Sequence, residues 1–109
     1  MAKTFDQEQL EQLSGGDRAF QKELLQLFVA DTDNSLSQLE MAISTENPSA
    51  VQAMAHYIKG ASANIGAVGM SRTAAQLERL AKTGGNLKPA TTSLRQLQIL
   101  HEEVKRLAR

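Results

Sequence analysis

Residues 47–67 read NPSAVQAMAHYIKGASANIGA, and this stretch is the most informative part of the chain. Asn47 followed by Pro48 is a strong start signal, because Asn caps helices and Pro suits the first helical position. Apolar and small residues then recur at helical spacing until Gly66 interrupts them. The pattern predicts a helix over residues 48–65. The side chains expected on its buried side are Val51, Met54, Ala55, Ile58 and Ser62.

Four other segments carry helix signals. A short helix is expected after a cap at Thr4 or Asp6, ending at Ser14-Gly15-Gly16. A long helix is expected from Asp17 to about Thr45, with polar residues 31–35 as the place for a kink. The expected inner residues are Leu10 and Leu13 in the first of these helices, and Phe20, Leu24, Leu27, Phe28, Leu36, Leu39 and Ile43 in the second.

The C-terminal half contains the other two segments. One is expected over residues 68–82, stopped by Gly84-Gly85, and the other from Pro89 to the C-terminus. Because the connections are short, neighbouring helices should pack antiparallel. The fold class is therefore all-α, a four-helix bundle with a short extra N-terminal helix, and residues 1–109 form one domain. The expected inner residues are Met70, Ala74, Leu77 and Ala81, then Leu94, Leu97, Leu100, His101, Val104, Leu107 and Ala108.

Composition excludes several classes of protein. Twelve basic and 12 acidic side chains give a net charge of zero, which argues against binding nucleic acid or a membrane surface through bulk charge. The chain has no Cys, so disulfides, thiolate metal sites and Cys nucleophiles are excluded. No apolar run approaches the roughly 20 residues of a membrane span, and the first residues lack the apolar region of a signal peptide. We therefore expect a cytoplasmic protein.

Three features coincide on the helix over residues 48–65. Gly60 lies inside the helix, where Gly costs roughly 0.5–1 kcal/mol relative to Ala. Lys59 follows His56 by three residues, on the same side of the helix. Side chains lean toward the helix N-terminus, so a side chain at position 60 would cover the turn that holds His56. The absence of one there, beside the small Ala53, predicts an approachable imidazole with a cation nearby.

An approachable imidazole next to a cation suits a nucleophile that accepts a dianionic group. A neutral imidazole nitrogen can attack phosphorus, and Lys59 would offset part of the charge of the phosphoryl group. Each feature also has an ordinary explanation. A single His on a helix is usually structural, Gly60 can permit close helix contact, and Lys59 can be a solvated charge. Spacing alone leaves both interpretations open.

Residues 56–67 resemble the signature of histidine-containing phosphotransfer (HPt) domains. That signature is His, any residue, an aliphatic residue, Lys, Gly, two small residues, two variable positions, an aliphatic residue, Gly and usually a small residue. Every position matches here. Residues 20–28 are similar to the second helix of the family, and Leu77-Glu78 to its fourth helix. Thr73 departs from the family, in which an aliphatic residue is common at this position.

The resemblance implies an antiparallel four-helix bundle with a short N-terminal helix. It also implies that His56 is phosphorylated, that Lys59 interacts with the phosphoryl group, and that Gly60 keeps the site accessible. The implied partners are receiver domains of response regulators and of a hybrid histidine kinase, with Mg²⁺ bound on the receiver side. The protein would then be a monomeric phosphorelay intermediate, with no cofactor or metal of its own.

The sequence contains no ATP-binding motif and no receiver-like pattern. We therefore expect a phosphocarrier and not a kinase. His101, the other histidine, is expected to be a core or edge residue, and the two histidines do not form a metal-site pattern. Two alternatives stay open: an adaptor that binds receiver or kinase domains without being phosphorylated, and a self-associating structural bundle. Tyr57 could contact a partner or cover the bundle edge.

Overall fold

The computed structural model describes residues 3–84 and 86–109. The predicted bounds of the third and fourth helices are confirmed to the residue. The fifth helix begins one residue after Pro89, and Gly85 of the expected stop lies outside the described residues. In chain order the helices are α1 (Gln7–Ser14), α2 (Arg18–Ser44), α3 (Pro48–Ile65), α4 (Val68–Lys82) and α5 (Ala90–Leu107).

The first three helices begin at side-chain caps. In each case a side-chain oxygen accepts a hydrogen bond from the backbone N–H three residues later, which satisfies one of the free donors of the first turn. The cap of α1 is Asp6 and not Thr4. The three caps are Asp6, Asp17 and Asn47.

Helices α2 to α5 form a ring in which each packs against its two neighbours. Helix α3 lies between α2 and α4, and α5 closes the ring against α4 and α2. Each helix contributes a fully buried side chain to the core: Leu39, Ile58, Leu77 and Leu97 are at most 1% exposed. The four-helix bundle is therefore confirmed, with α1 packed against α2 and α3.

The turn between α3 and α4 is held by the segment before α1. Gly66 has a φ of 91° and accepts a hydrogen bond from the Asp6 N–H at 2.7 Å. A Cβ at position 66 would lie 2.6 Å from the Asp6 carbonyl oxygen. Glycine is required here both for the left-handed backbone and for this close approach, and it fixes the end of α3.

The predicted inner stripes were too wide. Leu13, Phe20 and Leu107 are each more than 40% exposed, and Leu27 is 69% exposed. Successive helical positions are about 100° apart, and the rotation of α2 that buries Phe28 leaves the neighbouring Leu27 on the outer side. Met54 is only half-buried.

The polar middle of α2 does not end or divide the helix. Thr32 and Ser35 are buried, and the Ser35 hydroxyl donates to the Asp31 carbonyl oxygen of the preceding turn. The buried Thr73 hydroxyl donates to the Gly69 carbonyl oxygen in the same way. The polar group that Thr73 has in place of the family's aliphatic side chain is therefore hydrogen-bonded within α4. Among the described helices, none is long and apolar enough to cross a membrane.

Candidate functional site

Helix α3 presents His56 on the outside of the bundle. Ala55 and Ile58 on the same helix are at most 1% exposed, and they fix the inward side of α3. The His56 side chain is 69% exposed. The imidazole is therefore approachable, as the sequence predicted.

Glu78 on α4 holds both His56 and Lys59. Its Oε2 lies 2.8 Å from His56 Nδ1, and its Oε1 accepts a hydrogen bond from Lys59 Nζ at 2.6 Å. Glu78 is itself only 7% exposed. The sequence predicted Lys59 near the imidazole, and the structure brings the two together through a shared carboxylate.

The role of Glu78 was missed in the sequence. The family resemblance pointed to Leu77-Glu78 without giving Glu78 a partner. A second signal was present, because Glu78 lies at helical spacing within the inner stripe of α4, with Ala74 and Ala81. A carboxylate among buried positions requires a partner, but the partner on another helix cannot be read from this pattern.

The contacts of Glu78 indicate which nitrogen of the neutral imidazole carries the proton. The hydrogen bond from Lys59 lowers the pKa of Glu78, and the hydrogen bond from His56 acts in the same direction against the opposing effect of burial. An ionised carboxylate only accepts hydrogen bonds, so His56 Nδ1 carries the donating proton. In a neutral ring the lone pair is then on Nε2, which is free to act as a nucleophile.

A cleft adjoins His56 on the side of Gly60. A Cβ added at position 60 would meet no atom within 4 Å, so Gly60 is not required for helix packing within the described residues. Its absent side chain leaves open space beside the imidazole. The residues that line this cleft are His56, Tyr57, Gly60, Ala61, Ala63 and Asn64.

A second cleft adjoins His56 between α3 and α4. It extends toward the N-terminus of α3 and contains both the acidic Glu78 and the basic Lys82. His56 therefore stands between two open surfaces. The residues that line the second cleft are Ser49, Gln52, Ala53, His56, Glu78 and Lys82.

Tyr57, next to His56, joins α3 to α2. Its hydroxyl donates to Asp31 Oδ2 at 2.6 Å, and the residue is 48% exposed. The hydrogen bond to Asp31 raises the pKa of Tyr57. Tyr57 thus covers the bundle edge and at the same time shows part of its ring to the solvent.

His101 lies apart from this site. It is 2% exposed, and its Nε2 lies 2.8 Å from Oδ1 of Asp33 on α2. Its ring packs edge-on against Phe28, with 6.2 Å between the ring centroids. The prediction of a core or edge histidine is confirmed. Within residues 3–84 and 86–109, no three His, Asp or Glu side chains cluster as metal ligands.

The fold and the site together define a class of protein: a helical bundle with a solvent-facing histidine on one helix, oriented by a neighbouring carboxylate. The Hpt domain family matches residues 23–108 of this chain. The chain therefore belongs to the Hpt domain family, and its function is that of a phosphorelay intermediate.

Two solved structures are similar to this chain. Histidine-containing phosphotransfer protein B (HptB) from Pseudomonas aeruginosa PAO1 is 29% identical, with a TM-score of 0.90 over 99% of this chain and 93% of that one. The HPT domain of an Hpt sensor hybrid histidine kinase from Shewanella is 16% identical, with a TM-score of 0.74 over 95% of this chain and 92% of that one. The second likeness supports the fold alone. No curated protein matches.

Proposed function

We propose that His56 is the phosphoacceptor and that it bonds phosphorus through Nε2. The observation that carries the proposal is the hydrogen bond between His56 Nδ1 and Glu78 on a side chain that is 69% exposed. Glu78 orients the ring and retains the Nδ1 proton, which keeps the Nε2 lone pair directed away from the carboxylate. The reactive nitrogen then needs no separate base.

The transfer step is a displacement at phosphorus. His56 Nε2 attacks the phosphorus of a phosphoaspartate on a receiver domain, the N–P bond forms, and the bond from phosphorus to the carboxyl oxygen breaks. The Asp carboxylate leaves with the electron pair, and the Nδ1 proton stays on the bond to Glu78. The reverse step passes the group to a second receiver. Mg²⁺ on the receiver side would neutralise charge on the transferring group.

Surface shape supports a protein partner. The cleft at Gly60 is open to solvent and lies directly beside the imidazole. Leu27, which is 69% exposed, lies one helical turn before Asp31, the residue that binds Tyr57. Leu27 and the half-exposed ring of Tyr57 therefore give the α2 side of the site apolar surface, which supports the docking of a receiver domain there.

The proposal includes the pathway position of the protein. The carrier acts between the receiver of a hybrid histidine kinase and that of a response regulator, as a monomer in the cytoplasm, and it has no ATP-dependent kinase activity. A monomer is proposed because a stable oligomer whose interface included His56 would prevent a receiver domain from docking there. The absence of Cys suits the reducing conditions of the cytoplasm.

The test is phosphotransfer from a ³²P-labelled receiver domain in the presence of Mg²⁺. We expect acid-labile label on the wild-type chain and none on His56→Gln, with mass spectrometry locating the phosphate on residue 56. His101→Gln is the matched control because it removes the other histidine. Equal labelling of His56→Gln and the wild type would refute the proposal. Equal regulation of a receiver by wild type and His56→Ala would favour an unphosphorylated adaptor.

A further inference from the structure

The charges next to His56 are already balanced before phosphorylation. Glu78 lies within 2.8 Å of His56 Nδ1 and 2.6 Å of Lys59 Nζ, so its negative charge matches the positive charge of Lys59. A phosphoryl group adds about 1.5 to 2 negative charges at pH 7, and the ring that keeps its Nδ1 proton offsets about one of them. Since Glu78 already balances Lys59, the phosphorylated site keeps up to about one net negative charge, which a second cation would neutralise.

Lys82 is the cation that shares a cleft with His56. It lies on α4, four residues after Glu78, so the two side chains are on the same face of the helix. Side chains lean toward the helix N-terminus, which directs Lys82 back over Glu78. Both residues line the second cleft together with His56.

The Lys82 ammonium is available to bind an anion. The residue is exposed, and the ion pairs among the described residues involve Lys59 and Lys105 but not Lys82. Lys59 follows His56 on α3, whereas the cleft with Lys82 extends toward Ser49, before His56. The two cations therefore approach the imidazole from opposite directions along α3.

We infer that Lys82 binds the non-bridging oxygens of the phosphoryl group on His56 and supplies the positive charge that Glu78 takes from Lys59. This inference rests on the proposed function. It makes Lys82 a second phosphoryl-binding residue of the same site. The acceptor helix α3 and the neighbouring helix α4 then both contribute a cation to the phosphorylated state.

Arg79 provides the matched control. It lies in the last turn of α4, as Lys82 does, and both can interact favourably with the negative end of the helix dipole. Arg79 does not line the cleft. Arg79→Gln and Lys82→Gln thus remove the same charge from the same helical turn, and only Lys82→Gln removes it from the neighbourhood of His56.

The experiment uses the full chain, phosphorylated on His56 by a labelled receiver and then separated from it. A nearby cation favours the dianion, so the ³¹P resonance of the phosphohistidine should titrate at higher pH in Lys82→Gln than in the wild type or Arg79→Gln. Transfer from the receiver should slow about threefold to fivefold in Lys82→Gln, the size of one partly screened charge contact. Lys82→Arg should restore both values.

Salt provides a second measurement. The difference in rate between the wild type and Lys82→Gln should shrink as NaCl rises from 0.05 M to 0.5 M, since salt screens exposed charges. Equal ³¹P titrations in Lys82→Gln and Arg79→Gln would overturn the role of Lys82, whatever happens to the rates. A wild-type chain that takes no label on His56 would overturn the proposed function as well, so the two failures are distinguishable.

Discussion

The two histidines of this chain have the same partner chemistry and opposite surroundings. Each has one ring nitrogen 2.8 Å from a carboxylate on a neighbouring helix: Glu78 for His56 and Asp33 for His101. The side chain of His56 is 69% exposed, and that of His101 is 3% exposed. A carboxylate that orients an imidazole therefore does not by itself make a reactive site. The difference between the two sites is whether a partner can reach the second ring nitrogen.

The burial of the two carboxylates is reversed. Glu78 has a side chain that is 10% exposed, and it lies beneath an exposed histidine. Asp33 is 51% exposed and covers a buried histidine. The first pair holds an exposed ring on a buried carboxylate, whereas the second pair closes the bundle between α2 and α5. His101 Nδ1 is buried without a hydrogen-bond partner among the described residues, so it is unavailable to any partner protein.

The largest expected effect is the loss of phosphorylation on exchanging one histidine. His56→Gln should abolish acid-labile labelling because it removes the only exposed ring nitrogen among the described residues. His101→Gln should keep the label and lower the free energy of unfolding by about 1–3 kcal/mol, since it disturbs a buried hydrogen bond. Labelling and urea unfolding, measured on both variants, check the comparison. Loss of label in a folded His101→Gln variant would contradict the assignment of His56 as the only phosphorylated histidine.

The next largest effect concerns access to His56. Gly60→Gln should slow transfer about a hundredfold, the scale found when reacting groups are displaced by about 1 Å. The helix should remain intact, because a Cβ at position 60 meets no atom within 4 Å.

Gly60→Ala is the control for this prediction. It should stabilise α3 by about 0.5–1 kcal/mol through helix propensity and leave most of the transfer rate. Circular dichroism and transfer rates should be measured together on both variants. Normal transfer in Gly60→Gln would show that receivers approach His56 from another direction.

A smaller effect is expected from the carboxylate under His56. Glu78→Gln keeps the shape but removes the ionised acceptor, so both ring tautomers become available and transfer should slow about tenfold. Asp33→Asn makes the same change at His101 and should leave transfer unchanged. Nitrogen NMR of the ring gives the tautomer directly. An unchanged His56 tautomer in Glu78→Gln would show that Glu78 does not set it.

Acid should lower the free energy of unfolding by weakening the contact between Asp33 and His101. Burial raises the pKa of Asp33, but the hydrogen bonds from His101 and Lys105 outweigh it and lower the pKa below the ordinary 3.8. The stabilisation is therefore complete above pH 3.8 and is lost as the pH falls through the lower, folded-state value. Urea unfolding between pH 6 and pH 2.5 should show a smaller acid loss in Asp33→Asn. Identical profiles would contradict the assignment.

The smallest effect is spectroscopic. Tyr57 is the only tyrosine, and the chain has no Trp, so the phenolate absorbance near 295 nm reports on this residue alone. The hydrogen bond to Asp31 raises the pKa of Tyr57 above the ordinary 10.0, and Asp31→Asn should move the titration midpoint back toward that value. A midpoint unaffected by Asp31→Asn would mean that the contact is absent in solution.

The sequence by itself determined the helices, the caps of α2 and α3 and the identity of the acceptor candidate. Local signals suffice for these features: Asn47-Pro48 begins α3, Gly66 ends it, and the spacing of His56 to Gly60 is fixed by one helix. The four-helix architecture followed from amphipathic periodicity and short connections. The bounds of α3 and α4 were predicted to the residue for the same reason.

Only the tertiary structure decided which side chains meet across helices. The contact of Glu78 with His56 and Lys59 depends on the rotation of α4 against α3, and the cleft with Lys82 depends on the same rotation. The exposure of Leu27 was decided in the same way, by the rotation of α2 in the bundle. Sequence periodicity defines the rotation of a helix only to within about one residue, or about 100°. A hydrogen bond of 2.8 Å requires a much more precise rotation, so periodicity cannot predict which side chains form one.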